Sequence, residues 1–238
     1  MSAALPAIVD LDLPTALEGE CFQLAGISYP VDAGIMLAQA GRLSSPLPES
    51  HWHEGRISDY VAGRLLAEHL LAETGDRRIT TGESGAPVWP KGWTGSISHS
   101  RSGKSGRAVA VVVPENACRS VGVDTQYHPA GPLKPALLER VCLPGEWRAC
   151  DNVQNEKTRF ALIFSAKESA YKALNRLLPA SSGITLGYHS VRLERICVQT
   201  GVMEMTLDAD VCTAAGLDRR HTLYCWHIPG RVTTLMRI

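Results

Sequence analysis

The chain has 238 residues, of which 45% are apolar, and its 24 basic side chains balance its 24 acidic ones. This length allows one large domain or two smaller ones, each with its own core, and the apolar content excludes an intrinsically disordered chain. A net charge of zero gives no support to broad binding of nucleic acid or of a membrane surface, so we expect neither partner.

The cysteines and the N-terminus predict a cytoplasmic protein. There are seven cysteines, an odd number with no Cys-x-x-Cys pair, so a complete set of intrachain disulfides is impossible and reduced, mostly buried thiols are expected. The N-terminus has no basic segment ahead of an apolar run, and no apolar run is long enough to span a bilayer.

The first part of the chain predicts short strands followed by a long helix. Residues 1–50 are rich in Pro, Ser and Gly, which favours strands and loops. A helix is expected from about His53 to Thr74, because apolar residues recur along one side and Gly75 follows its end. Residues 81–95 contain four glycines and two prolines, which predicts a long, shaped loop.

Strands and helices then alternate in blocks. Residues 95–100, 107–113 and 120–126 predict three strands of an antiparallel meander. Helical segments are expected near 133–142 and 144–152, and a longer helix should run from about Glu156 to Leu178.

The tail predicts three or four more strands. They lie in VRLERICVQTGVMEMTLD, HTLYCWHI and RVTTLMRI, with turns at Thr200-Gly201 and Pro229-Gly230. Helix, strands, helices and strands in that order indicate an α+β fold, with two similar halves joined near residues 112–120. We take 1–115 as the N-terminal half and 116–238 as the C-terminal half.

Asp124 and Gln126 form the first group that could carry chemistry. They are two residues apart on a predicted strand, so both side chains face the same way. A carboxylate where a strand leaves the core is a candidate ligand for magnesium, which prefers oxygen donors. A turn-forming aspartate at a strand end is the ordinary explanation and is favoured when this feature stands alone.

Glu168 and Lys172 form the second group. They are four residues apart on the predicted long helix and share one face of it, whereas Lys167 points elsewhere. A solvated ion pair worth about 0.3–0.5 kcal/mol is the ordinary explanation. The functional alternative is that Glu168 holds a cation and Lys172 binds a phosphate.

Two further groups could bind an anion. Ser98 and His99 end a strand beside a glycine-rich turn, although a structural histidine is the more common case. Arg56 and Arg64 are eight residues apart and lie near one side of the first long helix, where a solvated face is the ordinary explanation.

Together these segments resemble a known family. GESGAPVWPKGWTGSISHS (82–100), VGVDTQ (121–126) and FSAKESAYKAL (164–174) resemble, in order and spacing, the surfactin-type and enterobactin-type phosphopantetheinyl transferases. AGRLLAEHLL (62–71) and CLPGEW (142–147) are similar to further segments of that family. The resemblance covers residues from about 53 to 178.

The resemblance implies a fold and a reaction. The fold would have two similar α/β halves related by a pseudo-twofold, each with an antiparallel sheet packed on helices, and an active site at their interface. Coenzyme A would donate its phosphopantetheine arm to a serine of an apo acyl or peptidyl carrier protein, with release of 3′,5′-ADP. The protein would act as a monomer.

The resemblance also implies roles for individual residues. Asp124, Glu168 and Gln126 would hold Mg²⁺, with Mn²⁺ as an alternative, and Glu168 and Lys172 would be catalytic. Glu168 would take the serine proton, and transfer through a metal-bound water is preferred to direct transfer because a carboxylate on a metal is a weaker base. The residues expected to bind coenzyme A are Arg56, Arg64, Gly85, Ala86, Pro87, Ser98, His99, Asp124, Lys167 and Lys172.

Gln126 departs from the family pattern, because many members have an acidic residue at that position. Gln126 either ligates the metal through its carbonyl oxygen or supports a ligand from behind, and it adds no negative charge. The main alternative function is therefore a non-catalytic module that binds coenzyme A or a carrier protein. A different magnesium-dependent phosphotransferase would need a phosphate loop such as GxxxxGK[ST], which the chain lacks.

Overall fold

The computed structural model describes residues 8–11, 21–82, 85–228 and 230–238. The chain divides into two compact units, each with its own hydrophobic core. The N-terminal unit contains the described residues through Ala117, and the C-terminal unit runs from Cys118 to Ile238. The predicted α+β class is confirmed, since antiparallel sheets combine with five α-helices in the described residues.

A four-stranded antiparallel sheet forms the centre of the N-terminal unit. Its strands follow the spatial order β1-β2-β6-β5. They are β1 (Ile8–Asp10), β2 (Gln23–Pro30), β5 (Trp93–Ser102) and β6 (Ser105–Pro114). A short hairpin of β3 (Thr80–Thr81) and β4 (Pro87–Val88) occupies part of the predicted loop.

One helix packs on this sheet, and a second helix packs on the first. The long helix α2 (Glu54–Leu70) lies on β2 and β6. The predicted helix is confirmed, although its last residues, Ala72–Thr74, form a 3₁₀ turn. The sequence interpretation missed α1 (Ala33–Ala40), whose N-cap Asp32 accepts a hydrogen bond from the Ile35 amide at 2.9 Å. Glycines in and after α1 had favoured a loop.

The C-terminal unit is built on a five-stranded antiparallel sheet in the order β7-β11-β10-β9-β8. Its strands are β7 (Val121–Tyr127), β8 (Val191–Cys197), β9 (Val202–Leu207), β10 (Arg220–Ile228) and β11 (Arg231–Arg237). The four tail strands were predicted. The predicted meander is wrong in its third strand, because β2 and β5 occupy both edges of β6 and β7 pairs with β11 instead.

Three helices complete this unit: α3 (Pro135–Val141), α4 (Glu156–Asn175) and α5 (Ala209–Ala215). The helix expected over 144–152 is only a 3₁₀ turn at Arg148–Cys150, and α5 was not predicted. Asn155 caps α4 by accepting a hydrogen bond from the Thr158 amide at 3.1 Å. None of the described helices is long and apolar enough to cross a membrane.

Gly122 allows β7 and α4 to touch. A Cβ atom at this position would lie 2.0 Å from the Ser169 carbonyl oxygen and 2.8 Å from the Ala173 nitrogen, so any side chain would push the strand off the helix. The close approach brings Asp124, two residues further along β7, beside the polar face of α4.

Candidate functional site

Asp124 lies at the centre of a polar cluster in the C-terminal unit. Its carboxylate is almost fully buried, and its Oδ1 accepts a hydrogen bond from the Lys172 Nζ at 2.7 Å. Its Oδ2 accepts from the Gln126 Nε2 at 2.9 Å. Lys172 also donates to the Val123 carbonyl oxygen at 3.0 Å. Asp124 is the fourth of the seven residues of β7, so the middle of the strand, and not its predicted end, meets the helix face through a charge-assisted hydrogen bond.

Glu168 lies on the same polar face, one helical turn before Lys172. Its Oε1 accepts a hydrogen bond from the Tyr188 hydroxyl at 2.9 Å. Burial, and then the negative charge of Asp124, raise the pKa of Glu168, against the opposing effects of Tyr188 and Lys172. Burial and the neighbouring Glu168 raise the pKa of Tyr188 to about 12. Lys172 thus donates to the buried Asp124 carboxylate and acts on the half-buried Glu168 carboxylate through its charge.

This donor set fits a hard divalent cation that takes part of its coordination from elsewhere. Among the described residues, no group of three or more His, Cys, Asp and Glu side chains could hold a metal by itself. Magnesium is commonly bound through one or two carboxylates, with waters and substrate phosphates completing the shell. Asp124 and Glu168 supply two such carboxylates, and their mutual repulsion, which raises the pKa of Glu168, is what a cation would relieve.

The N-terminal unit holds a separate cavity of about 340 Å³ lined by cationic and aromatic side chains. Arg56 lies over the Trp52 ring, with its Cζ 4.4 Å from the ring centroid. Arg64 lies in the same way over Tyr60, at 4.9 Å. Cation–π contacts of this kind hold the planar guanidinium groups in place along the wall.

The two arginines differ in how much of each a ligand can reach. Arg64 is buried, and its Nη2 donates to the Thr80 carbonyl oxygen at 3.3 Å and to the Thr81 hydroxyl at 3.2 Å. Arg56 is exposed at the cavity mouth. Arg56 is therefore the accessible cation of the pair, while Arg64 ties α2 to the β3–β4 hairpin.

The glycine-rich loop contributes Gly85 and Pro87 to the cavity wall. Gly85 has φ +81°, a left-handed conformation that favours glycine, and a Cβ there would meet open space. The left-handed backbone conformation therefore explains why residue 85 is a glycine. The Ala86 carbonyl oxygen accepts a hydrogen bond from the Gly82 amide at 2.9 Å, which closes the loop.

Ser98 and His99 lie on opposite faces of β5. The His99 ring lines the cavity, with 46% of its side chain exposed, and its Nδ1 is 3.2 Å from Oδ2 of Asp59. Ser98 is buried, with 3% of the residue exposed. The structure brings His99 to the cavity wall, whereas neighbouring residues of a strand face opposite ways and Ser98 is not among the lining residues, so its contact with coenzyme A stays a prediction.

Models of one protein family match both units. A model of the 4′-phosphopantetheinyl transferase N-terminal domain matches residues 50–113. A model of the 4′-phosphopantetheinyl transferase superfamily matches residues 120–223. The chain belongs to this superfamily.

Individual transferases of this superfamily are similar over part of the chain. The 4′-phosphopantetheinyl transferase Npt of Nocardia iowensis is 34% identical over 122 residues, which cover 50% of this chain and 52% of Npt. Svp of Streptomyces mobaraensis is 35% identical over 123 residues (50% and 48%). Enterobactin synthase component D of Salmonella typhi is 35% identical over 127 residues (50% and 49%). The chain spans about half the length of the curated relatives it matches.

One residue of the transferase motif has a different place from the one expected. The Lys167 side chain is fully buried, and its Nζ lies 2.8 Å from Oε2 of Glu146 and donates to the Tyr188 carbonyl oxygen at 2.8 Å. Burial lowers the pKa of Lys167, and Glu146 opposes that shift. The expected contact of Lys167 with coenzyme A is therefore corrected, because its ammonium group is an internal partner of Glu146.

Four residues of these clusters were not singled out from the sequence: Asp59, Arg101, Glu146 and Tyr188. Asp59 is a carboxylate on the buried side of α2. The apolar periodicity of the helix does not identify it as a functional residue. Tyr188 stands in a turn between α4 and β8, where no local pattern marks it. Each joins the site through a contact distant in sequence.

Proposed function

We propose that this chain transfers the 4′-phosphopantetheine arm of coenzyme A to a serine of an apo carrier protein and releases 3′,5′-ADP. The observation that carries the proposal is the meeting of Asp124, Glu168 and Lys172 at the contact of β7 with α4. Membership of the superfamily supports it, as do relatives whose names state this transferase activity.

Asp124 and Glu168 are the residues that would hold a magnesium ion, or manganese in its place. When bound, the metal supplies positive charge that offsets the negative charge of a pyrophosphate. Gln126, whose amide nitrogen faces Asp124, supports that carboxylate and keeps its orientation.

Glu168 is the proposed base. A serine hydroxyl is a weak nucleophile at neutral pH, and a carboxylate becomes a more effective base as its pKa rises toward neutrality. Burial and Asp124 shift the pKa of Glu168 in that direction, and a cation held by the same carboxylate would oppose that shift. The serine oxygen forms a bond to the phosphorus attached to pantetheine, the bond to the bridging pyrophosphate oxygen breaks, and the serine proton goes to Glu168. The electron pair of the broken bond leaves with 3′,5′-ADP.

Lys172 is the proposed phosphate contact in this unit. An ammonium group has three N–H donors. Asp124 and the Val123 carbonyl oxygen take two of them, and a quarter of the Lys172 side chain is exposed, at 25%. The third N–H can therefore donate to a phosphate oxygen, while the hydrogen bond to Asp124 holds the lysine side chain in place.

The cavity of the N-terminal unit is the proposed site for other phosphate groups of coenzyme A. Arg56 and His99 line it and are accessible, and guanidinium groups bind phosphate oxygens through paired donors. Gly85, Ala86 and Pro87 form the loop along this wall. This makes Arg56 a stronger candidate than Arg64 for the 3′-phosphate.

The proposed acceptors are acyl or peptidyl carrier proteins. Enterobactin synthase component D, the name of one group of relatives, makes a carrier in siderophore assembly one candidate among them. Monomeric action and a pseudo-twofold relation of the two halves remain predictions of the family resemblance, and a cytoplasmic location remains a prediction from the cysteines and the N-terminus.

The test is the intact mass of an apo carrier protein after incubation with this chain, coenzyme A and magnesium. A gain of one phosphopantetheine, lost with EDTA and with Asp124→Ala, is expected. Coenzyme A binding with no gain across several carriers would contradict the proposal and favour a non-catalytic binding module.

A further inference from the structure

Asp59 is a buried carboxylate with three donors around it. Its side chain is 6% exposed, and its Oδ1 accepts a hydrogen bond from the Tyr29 hydroxyl at 2.6 Å. Its Oδ2 lies 3.2 Å from the His99 Nδ1 and 3.5 Å from the Arg101 Nε. A buried charge is costly unless it is paired, so these donors account for its presence inside α2.

The contacts of Asp59 fix the orientation of its partners. A contact between Nδ1 of His99 and a carboxylate requires a proton on Nδ1, which sets the tautomer and the direction of the ring. The ring can bind an anion when it carries both protons, with Nδ1–H on Asp59 and Nε2–H on the anion. Arg101 uses its Nε toward Asp59, which leaves its two terminal nitrogens as donors.

The first turn of α2 has a matching space for Arg101. A Cβ atom at Gly55 would stand 1.6 Å from Nη1 and 2.7 Å from Cζ of Arg101. The absence of a side chain at Gly55 therefore lets the guanidinium group lie against the helix. His99 and Arg101, two residues apart on β5, face the same way, and both line the cavity.

The direction in which neutralising Asp59 changes the affinity for an anionic ligand distinguishes a positioning role from simple electrostatic repulsion. Asp59 is negative, so by Coulomb repulsion alone it opposes an anionic ligand, and its neutralisation would tighten binding. If Asp59 instead orients His99 and Arg101, its neutralisation releases both donors and weakens binding. The two explanations predict opposite changes in affinity.

We propose that Asp59 is a positioning residue that aims His99 and Arg101 at a phosphate group of coenzyme A, and that Arg101 is a coenzyme A-binding residue. The proposal rests on the proposed function for the identity of the ligand. The contacts that carry it lie wholly within the N-terminal unit.

The experiment compares Asp59→Asn with Glu68→Gln in calorimetric titrations with coenzyme A. Glu68 is the matched control, because it is a buried carboxylate on the same helix whose oxygens accept from the Ser44 and Ser45 amides, both at 2.8 Å. Loss of charge-assisted contacts should weaken coenzyme A binding about tenfold in Asp59→Asn, and Glu68→Gln should bind within about twofold of the parent. Unchanged or tighter binding by Asp59→Asn would overturn the positioning role.

A double-mutant cycle tests whether Asp59 acts through its partners. In a His99→Ala, Arg101→Ala background, Asp59→Asn should change affinity by less than about twofold, because nothing remains to be oriented. The full tenfold loss in that background would overturn the proposal.

Gly55→Ala keeps the test decisive if Asp59→Asn does not fold. Alanine is a better helix former than glycine, so the variant should fold, and its methyl group displaces only Arg101. Weaker coenzyme A binding, comparable to that of Arg101→Ala, is expected, and unchanged affinity would contradict the assignment. Failure of the parent chain to bind coenzyme A would instead contradict the proposed function.

Discussion

Replacing Lys167 with methionine should destabilise the C-terminal unit without weakening the binding of coenzyme A. Both side chains of the Lys167–Glu146 pair are 0% exposed, and their charged atoms are 2.8 Å apart. Methionine fills similar space but leaves the Glu146 carboxylate with a buried, uncompensated charge. The family motif by itself predicts that Lys167 contacts coenzyme A. This variant therefore distinguishes substrate contact from internal pairing with Glu146.

The size of the effect follows from that buried charge. Removing one partner of a buried ion pair costs about 3–5 kcal/mol, and for a chain of this length that corresponds to a fall in Tm of roughly 10 °C. Both oxygens of Glu146 still accept from backbone amides, Oε1 from Leu193 at 2.7 Å and Oε2 from Leu143, which keeps the carboxylate from being wholly without partners. Neutralising it as well, in Glu146→Gln with Lys167→Met, should recover part of the loss.

Thermal unfolding followed by circular dichroism gives Tm, and calorimetric titration at a temperature where the variant is folded gives the affinity. Lys157→Met, on the same helix but partly exposed, is the control and should stay within about 0.5 kcal/mol of the parent. An unchanged Tm together with a weaker affinity for coenzyme A would refute the internal role of Lys167.

Further predictions concern packing, thiols and the proposed base. Gly122→Ala should lower stability by more than about 3 kcal/mol in denaturant unfolding, because its methyl group would overlap backbone atoms of α4. Burial raises the pKa of Cys150 and Cys225 from 9.0 to about 12, so both should resist thiol reagents at pH 8, and the stability they contribute should be lost as the pH rises above 9. Tyr188→Phe removes a hydrogen bond that lowers the pKa of Glu168, so the acid limb of the pH–rate profile should move to higher pH. An unmoved limb would show that Tyr188 does not act on the base.

Local patterns predicted much of the fold. The periodicity of α2 and α4 and the alternation of the tail strands placed these elements within a few residues of their bounds. The pairing of β7 could not be found in the same way, because both edges of β6 are filled by β2 and β5 and its partner β11 lies at the other end of the unit.

The candidate site shows the same division. The motif residues Asp124, Glu168 and Lys172 were singled out through the resemblance to the family, and Gly122 explains why a strand carrying one of them can touch the helix carrying the others. Lys167 stands in the same motif, but its burial depends on Glu146, a partner 21 residues away that spacing alone does not identify.

The proposed role of Glu168 is tested by the rate at which an apo carrier protein gains phosphopantetheine, followed by intact mass, for the parent, Glu168→Gln and Glu156→Gln. Glu156 is an exposed residue in the first turn of the same helix and serves as the control. We expect transfer by the parent and by Glu156→Gln, and loss of most of the rate in Glu168→Gln. Near-parental transfer by Glu168→Gln would contradict the role of Glu168 as the base and metal ligand.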